Sequence, residues 1–484
     1  MEHRLGRTLR VFLIVLAAAG FHRLTLVPLI ERSADEAVAL EPTAEEAAAI
    51  KARAASRLAV LDEVFPEGAW ERDDPVVLES REMRLLFKQY HSLPDGRVNL
   101  VPCTLVLLPK GGTGEPGRTT VLRAPQGAVL EFDEPLDLRK GRLAKLVGGS
   151  LRGEVTVRAT PSTATAEDDI EIVTRDIEME NNRLTTGEVV RFRYGRSRGH
   201  GRGLTVGLLA AQTDSDQGPN IGGVDMIRLE QDVQMRLEGV AGGFLPGSEA
   251  ARPAGREDSA EAPPVLVRCR GALEFSVSGR LVTLEDRVDV TRTLPGGGME
   301  QLACDRLAIL LSDEAAGGSD SFEPVEIEAR GNPVVARGTA DGLEARGQRL
   351  GYEIATRRIL LDGEQPVMLK GRGTELEARS VDYVPSAGGG PGSLMAVGPG
   401  WLESAGGRGN PPARVVWRKW LRMRPDGEGH VASVAGDAEV VVEGQGRLAA
   451  SEIHLWLDET DSSAPASAAA SLEGVRPSRM LARG

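Results

Sequence analysis

The sequence predicts an all-β protein, preceded by an export segment and a short helix. Three observations predict this fold class: a repeated phrase of apolar and small residues, strand-like alternation over most of the chain, and a glycine-rich composition. Of the 484 residues, 58 are glycine and 4% are aromatic. Such a composition is typical of many short strands joined by tight turns. The length allows about three domains.

The repeated phrase has an apolar residue, a small residue and two more apolar residues at fixed spacing. Residues two apart in a strand share one face, and the three-residue step at the centre puts the two halves out of phase. One bulged residue restores a common face, and a small side chain avoids a clash at the bend. The phrase therefore predicts a strand that turns a corner with its apolar residues on one side. Its copies are Leu78, Ser80, Met83, Leu85; Ile172, Thr174, Ile177, Met179; Leu302, Cys304, Leu307, Ile309; Ala345, Gly347, Leu350, Tyr352; Leu376, Ala378, Val381, Tyr383; and Leu448, Ala450, Ile453, Leu455.

The N-terminal residues 1–32 are predicted to be a signal peptide or a signal anchor. Basic residues precede an apolar run at 11–21, which is the order of a secretory signal. A membrane-spanning helix needs roughly twenty apolar residues, and His22 and Arg23 interrupt this run. Cleavage and retention as an anchor across 9–30 both remain open. Either one predicts an exported protein.

Residues 33–72 are predicted to form a short helical spacer rich in alanine. Thr43 and Glu46 have the spacing of a capping box, and an apolar stripe runs from Ile50 to Leu61. The helix is interpreted either as a spacer before the β region or as a surface for a partner helix.

The β pattern begins near residue 75 and continues to 457. The copies of the phrase are irregularly spaced, which favours repeated domains with insertions over a solenoid of fixed period. At the C-terminus, strand-like character resumes after a polar linker, which predicts an edge strand that pairs with a neighbour or belongs to a longer chain. The predicted regions are a first β-jellyroll-like region at 75–210, a second β region at 224–312 with a mobile insertion at 241–264, two further units at 322–384 and 394–457, and a linker with the start of another unit at 458–484.

Charge and cysteine content exclude some classes of protein. The formal net charge of −13 repels polyanions, so the sequence predicts no nucleic-acid partner. Cys103, Cys269 and Cys304 lack the close spacing of a zinc site. They allow one disulfide in an oxidising compartment, or three buried thiols.

The segment 196–203 is rich in arginine and glycine and is a candidate anion-binding loop. Its glycines would let backbone amides approach a phosphate, while Arg196, Arg198 and Arg202 supply charge. A solvated hairpin end explains the same composition.

The segment 417–424 alternates tryptophan, basic and apolar residues. As one strand it would place Arg418, Trp420, Arg422 and Arg424 on a single face. A basic face with a tryptophan suits lipid headgroups or glycan phosphates, and a solvated sheet face is the alternative.

Catalytic patterns are missing from the sequence. The histidines are scattered without metal-ligand spacing, and no serine lies in a nucleophile elbow. Neighbouring acidic residues at 73–74 and 168–169 are interpreted as turn residues, with a polysaccharide-cleaving pair as the remote alternative. We therefore expect no enzyme activity, no cofactor and no metal.

The stretch 343–384 reads LEARGQRLGYEIATRRILLDGEQPVMLKGRGTELEARSVDYV. It resembles the OstA-like (organic solvent tolerance) domain of bacterial lipopolysaccharide-export proteins. Residues 434–457 look like another copy. The stretch 170–206, with Thr-Arg-Asp-Ile, Thr-Thr-Gly-Glu-Val-Val and Gly-Arg-Gly-Leu, is similar to the membrane-anchored periplasmic member of the same export system.

The resemblance implies repeated, open β-jellyroll units in the periplasm, which hold lipid acyl chains in an apolar interior. It also implies edge-strand pairing with other jellyroll proteins into a bridge, and attachment to the inner membrane through the N-terminal segment. The expected lipid contacts are Leu350, Tyr352, Val367, Leu369, Leu376, Val381, Tyr383, Val440, Val442, Leu448, Ile453 and Leu455. Headgroup or anion contacts are expected at Arg418, Trp420, Arg422, Arg424, Arg196, Arg198 and Arg202.

The function expected from these observations is a non-enzymatic carrier or bridge for lipopolysaccharide or a similar amphipathic lipid, in outer-membrane biogenesis. The apolar strand faces form a groove if the sheets stay apart, and a closed sandwich if they do not. An envelope scaffold or glycan-binding β-protein is the alternative from a different class.

Overall fold

The computed structural model describes most of the chain after residue 64. The described residues are 65–79, 83–107, 119–133, 146–160, 169–180, 182–210, 221–238, 263–294, 297–312, 324–339, 342–371, 373–386, 392–406, 411–427, 429–459 and 475–484. The predicted signal segment 1–32, the predicted helix before residue 65 and most of the insertion at 241–264 lie outside these residues.

The chain divides into two compact units, 1–75 and 76–484. The described part of the first unit contains one turn of 3-10 helix, Trp70–Arg72. No helix within the described ranges has the length and apolar character needed to cross a membrane.

The described part of the second unit contains 27 strands, and each of their pairings is antiparallel. The first nine are β1 (Val76–Glu79), β2 (Met83–Ser92), β3 (Val98–Leu107), β4 (Thr120–Ala124), β5 (Ala128–Phe132), β6 (Leu146–Ala159), β7 (Ile170–Glu180), β8 (Arg183–Tyr194) and β9 (Ser197–Ala210). The next nine are β10 (Ile221–Leu237), β11 (Val265–Cys269), β12 (Leu273–Ser276), β13 (Leu281–Thr293), β14 (Met299–Leu311), β15 (Pro324–Gly338), β16 (Leu343–Glu353), β17 (Arg358–Asp362) and β18 (Val367–Gly371). The last nine are β19 (Thr374–Ala378), β20 (Ser380–Val384), β21 (Ser393–Val397), β22 (Gly400–Ser404), β23 (Ala413–Trp417), β24 (Trp420–Asp426), β25 (Gly429–Val442), β26 (Gly446–Glu459) and β27 (Val475–Arg483). The prediction of an all-β fold is confirmed.

The strands form a meander of neighbouring pairs. In places a bend divides a strand into two short ones, which lie one after the other along the same partner strand and do not pair with each other. Thus β4 and β5 both lie between β3 and β6, and β11 and β12 both lie between β10 and β13.

From β16 to β25 such divided strands follow one another. One row of pairings runs from β16 through β17, β20, β21 and β24 to β25. A second row runs through β18, β19, β22 and β23. Because both rows begin on β16 and end on β25, these ten strands form a closed ring of antiparallel pairings.

The undivided strands bend at bulges, which lie opposite the centre of the repeated phrase. In β25 the two residues Gly436 and Asp437 oppose the single residue Ser451 of β26. Gly436 and Asp437 have φ values of 85° and 49°, a left-handed conformation that glycine and aspartate tolerate better than most residues. Between β13 and β14 two residues again oppose one, and between β15 and β16 the three residues 331–333 oppose Gln348.

The sequence therefore predicted where the phrase strand bends. It did not predict that the bulged residue lies in the neighbouring strand and not in the phrase strand itself. The three-residue step bends the phrase strand, and its neighbour adds a residue to follow the bend. Both halves of each phrase then contribute to the core. Ser80 lies outside the described residues, and Met179 and Leu455 are half-buried outside the two apolar clusters; the other phrase residues lie in or against these clusters or are buried.

The two clusters extend from Leu78 to Ile177 and from Val190 to Ile453. On the opposite face, arginines pair with acidic residues across neighbouring strands, as in Arg158 with Glu171. The core thus lies on one side of the bent sheet and charged groups on the other. Strand pairing is continuous across the limits predicted for the β regions, as β9 pairs with β10 and β14 with β15.

Candidate functional site

The residues expected to contact lipid lie on the apolar face. Most of them belong to the second cluster: Leu350, Tyr352, Val367, Leu376, Val381, Tyr383 and Ile453 are buried in it, and Leu369, Val440 and Leu448 pack against it. Val442 and Leu455 are half-buried. The structure thus brings together side chains that are far apart in sequence.

The strand register aligns these residues within the ring. Leu369 lies opposite Leu376, and Val381 lies between Leu361 and Ala396. Tyr383 lies between Ile359 and Leu394. The phenol reports the polarity of this environment, because burial raises the pKa of Tyr383 to about 12.

The apolar interior is filled by its own side chains. Val367 and Val381 are 0% exposed, and Tyr383 is 6% exposed. Close packing of this kind leaves few voids larger than a water molecule. An acyl chain would therefore have to separate the two halves of the bent strands.

The segment 417–424, which was predicted as one strand, is divided by a bend. Strand β23 ends at Trp417, and β24 begins at Trp420. Trp417 is fully buried, whereas Arg418 lies in the bend with its Nε 3.3 Å from Asp437 Oδ2. Placing Arg418 on the same strand face as Trp420 is therefore wrong. The chain changes direction between β23 and β24, as the undivided strands do at their bulges.

The remaining basic residues of this segment line a groove on the charged face of the sheet. Leu421 and Met423 are buried in the core, so Trp420, Arg422 and Arg424 point to the opposite side. The groove has a volume of about 330 Å³. Its lining residues are Trp420, Arg422, Arg424, Asp426, Val431, Ser433, His454, Trp456, Leu481 and Arg483. We call it the arginine–tryptophan groove.

The register of β24 to β27 explains which residues meet. Arg422 lies opposite Ser433, which lies opposite His454 and then Leu481. The next row runs from Arg424 through Val431 and Trp456 to Arg479. A third row runs from Trp420 through Ala435 and Glu452 to Arg483. Basic and aromatic residues from four strands are thereby placed side by side.

Polar contacts hold the imidazole ring of His454 and the indole ring of Trp456 in place. Ser433 Oγ is 2.9 Å from His454 Nδ1, and His454 Nε2 is 3.3 Å from Glu452 Oε1. Trp456 Nε1 donates to Asp426 Oδ2 at 2.9 Å.

Arginine side chains lie over and around the indole ring of Trp456. The Arg479 guanidinium lies 4.6 Å from the centre of the Trp456 ring. Within the described residues, Arg422, Arg424 and Arg483 have no salt bridge. The lining residues of the groove thus include three arginines, Arg422, Arg424 and Arg483, and one acidic residue, Asp426, so basic groups outnumber acidic ones.

Sequence reasoning missed the contribution of β26 and β27 to this groove. His454 and Trp456 alternate with Ile453 and Leu455, so one face of β26 was recognisably apolar. His454 and Trp456 lie close to Arg422 and Arg424 because of the register with which β24 and β26 pair with β25. A local sequence pattern does not contain this register.

The segment 196–203 is a strand and not a loop. Arg196 lies in the turn after Tyr194, and β9 begins at Ser197. Arg198 and Arg202 are exposed on one face of β9 with His200 between them. The candidate anion-binding loop is therefore not a loop, whereas the alternative of a hairpin end holds for Arg196, which lies in the turn between β8 and β9. The glycines allow this strand to approach its neighbours closely: a Cβ at Gly199 would be 2.8 Å from the Gln234 carbonyl oxygen.

The three cysteines are free and buried. Burial raises the pKa of Cys103 and of Cys304 to about 12, and that of Cys269 to about 11. Cys269 and Cys304 are on β11 and β14, which pair with opposite edges of β13. Cys269 and Cys304 are therefore separated by two strand spacings of about 4.8 Å each. A disulfide needs Cα atoms within about 7 Å of each other, so these two cysteines are too far apart to form one.

Metal-ligand geometry is also missing from the described part of the chain, which contains no group of three or more His, Cys, Asp or Glu able to hold an ion. Asp74 has a φ of 46°, typical of a turn residue, and Asp169 Oδ2 is 2.8 Å from Arg193 Nη2.

Comparison with family models, curated proteins and solved structures finds no match to this chain.

Proposed function

We propose that the protein is a non-enzymatic periplasmic carrier or bridge component for lipopolysaccharide or a similar amphipathic envelope lipid. The observation that supports this proposal is the apolar cluster that continues from Val190 to Ile453 along successive bent strands. In an open β-jellyroll, acyl chains would lie along this interior. The charged opposite face would remain in water.

Opening of the bent strands is the step that the proposal requires. The two halves of each bent strand share one core, and they are joined covalently only at the bend. Separation of the halves would exchange side-chain contacts for contacts with acyl chains, which have the same apolar character. The free-energy difference between these two states is therefore expected to be small relative to exposure of the interior to water.

The edges of the sheet support the bridge part of the proposal. Among the described residues, β1 pairs with β2 alone and β27 pairs with β26 alone. An edge strand offers unpaired backbone groups to another sheet. Neighbouring jellyroll proteins would pair there, while residues 9–30 would anchor the chain to the inner membrane.

Photocrosslinking in cells tests the lipid proposal. Tyr383→benzoylphenylalanine places the photoreactive group in the interior, and Trp401→benzoylphenylalanine places it on the charged face, next to Arg414. We expect lipopolysaccharide adducts at position 383 and few at position 401. Equal yields at the two positions, or no adduct at position 383, would refute an interior lipid site.

An envelope scaffold is the second candidate. It is favoured by the tight burial of Val367 and Val381, each 0% exposed, which is typical of a closed structural core. Native mass spectrometry of protein extracted from envelopes separates the two functions. A carrier retains bound lipid, whereas a scaffold gives the mass of the bare chain.

A further inference from the structure

The arginine–tryptophan groove lies outside the apolar interior, and the lipid proposal does not use it. Leu421 and Met423 point into the core, while Trp420, Arg422 and Arg424 line the groove on the other side. The chain as a whole has a net charge of −13. A concentration of arginines on such a chain selects for an anionic ligand at this place.

The groove combines two kinds of recognition. Arginine guanidinium groups match phosphate geometry with paired hydrogen bonds. The indole rings of Trp420 and Trp456 supply flat apolar surfaces with polar edges. A ligand that contacts both the arginines and the indole rings needs an anionic group next to a rigid ring with an apolar face. A phosphorylated sugar has this chemistry.

The size of the groove limits the ligand further. Its volume of about 330 Å³ is at the lower end of the range of about 300–1,000 Å³ for small-molecule sites. A concave site of this volume suits one or two sugar rings better than the flat surface of a bilayer.

The side chains of Trp456 and His454 are held in position before a ligand arrives. Trp456 donates to Asp426 and is covered by Arg479, and His454 contacts Ser433 and Glu452. Fixed side chains lose less conformational entropy on binding. Arg422 and Arg424 have no salt bridge within the described chain, so a phosphate would not have to displace an acidic partner.

We propose that the arginine–tryptophan groove binds a phosphate-bearing sugar. Arg422 and Arg424 hold the phosphate, and Trp420 and Trp456 contact the sugar ring. This site is independent of lipid in the interior, so either proposal can fail without the other.

Calorimetric titration of the full chain with glucose 6-phosphate tests the proposal. Glucose, inorganic phosphate and phosphatidylglycerol vesicles serve as comparison ligands. We expect glucose 6-phosphate to bind more tightly than glucose or phosphate alone. The double variant Arg422→Gln, Arg424→Gln should weaken this binding by about tenfold or more, because charge-assisted hydrogen bonds are lost.

Two further variants make the test specific. Arg414→Gln is the matched control, because Arg414 also lies over a tryptophan of the charged face, Trp401, but Glu403 neutralises it. Its binding should equal that of the unchanged protein. Trp420→Ala should reduce binding of glucose 6-phosphate while leaving that of inorganic phosphate unchanged. Melting temperatures establish that each variant is folded.

Several results would overturn the proposal. Equal affinity for glucose 6-phosphate and inorganic phosphate would make the groove a simple anion site. Binding to vesicles without binding to the sugar phosphate would make it a membrane contact. Equal loss of binding in Arg414→Gln and in the double variant would exclude a specific role for the groove arginines.

Discussion

Tyr383 places a phenol group in an apolar interior, between Ile359 and Leu394 of the neighbouring strands. Burial raises its pKa to about 12, compared with about 10 for a phenol in water. The neutral form is thus favoured in the folded protein. The unfolded chain ionises first as the pH rises, so stability from this group is complete below about pH 10 and is lost between about pH 10 and 12.

Tyr383→Phe should therefore reduce the loss of stability in alkali. The measurement is the urea midpoint at about pH 9 and about pH 11, compared between the variant and the unchanged protein. The buried thiols contribute equally to both proteins. Tyr194→Phe is the control for removal of a tyrosine hydroxyl at an exposed position, because Tyr194 is 48% exposed. Identical pH dependence in Tyr383→Phe and the unchanged protein would contradict the assignment.

The bends between short strands depend on close backbone approach. Strand β22 begins at Gly400, directly opposite Trp417 at the end of β23. A Cβ at Gly400 would be 2.5 Å from the Glu377 carbonyl oxygen and 2.7 Å from Trp417 Cζ2. A backbone oxygen and a fully buried indole cannot move aside easily.

Gly400→Ala is expected to destabilise the fold by about 1–3 kcal/mol through overpacking. The midpoint of chemical unfolding measures the change. Gly351→Ala is a matched control in another strand, since its Cβ would be 3.7 Å from Leu360 Cβ, an ordinary contact. Comparable destabilisation by both substitutions would show that glycine replacement, and not the contact at the bend, determines the loss.

Prediction from sequence succeeded for features with a local cause. The corner in each phrase follows from residue spacing, and burial of both halves follows from the corner. The division at Arg418 and Lys419 was missed, because alternation alone continues through those residues. The groove was half predicted: Trp420, Arg422 and Arg424 belong to one strand, whereas His454, Trp456 and Arg483 reach them through the register of distant segments.

Among the described strands, β27 pairs with β26 alone, and its free edge carries an exposed apolar residue. Met480 is 59% exposed and lies opposite Leu455 of β26, on the side of the apolar cluster. An exposed edge with an apolar residue favours pairing with another sheet. The proposal of a bridge therefore predicts association through this strand.

Met480→Lys should weaken that association, because a charge at an edge discourages sheet pairing. Sedimentation velocity over a range of protein concentrations measures it. Val189→Lys is the control, since Val189 is 47% exposed but lies within β8, whose two edges are both paired. Retention of the same oligomers in Met480→Lys would exclude this edge as the contact.

The meander also has a consequence for how the chain acquires its structure. Each described strand pairs with segments close to it in sequence, and even the widest pairing, Met226 with Ser276, spans a small part of the chain. Proteins dominated by such short-range pairings close small loops at each step and fold faster than those with distant pairings. A chain of this design can be assembled progressively from its N-terminal side, each new strand using the preceding one as a template, before the later strands have been synthesised.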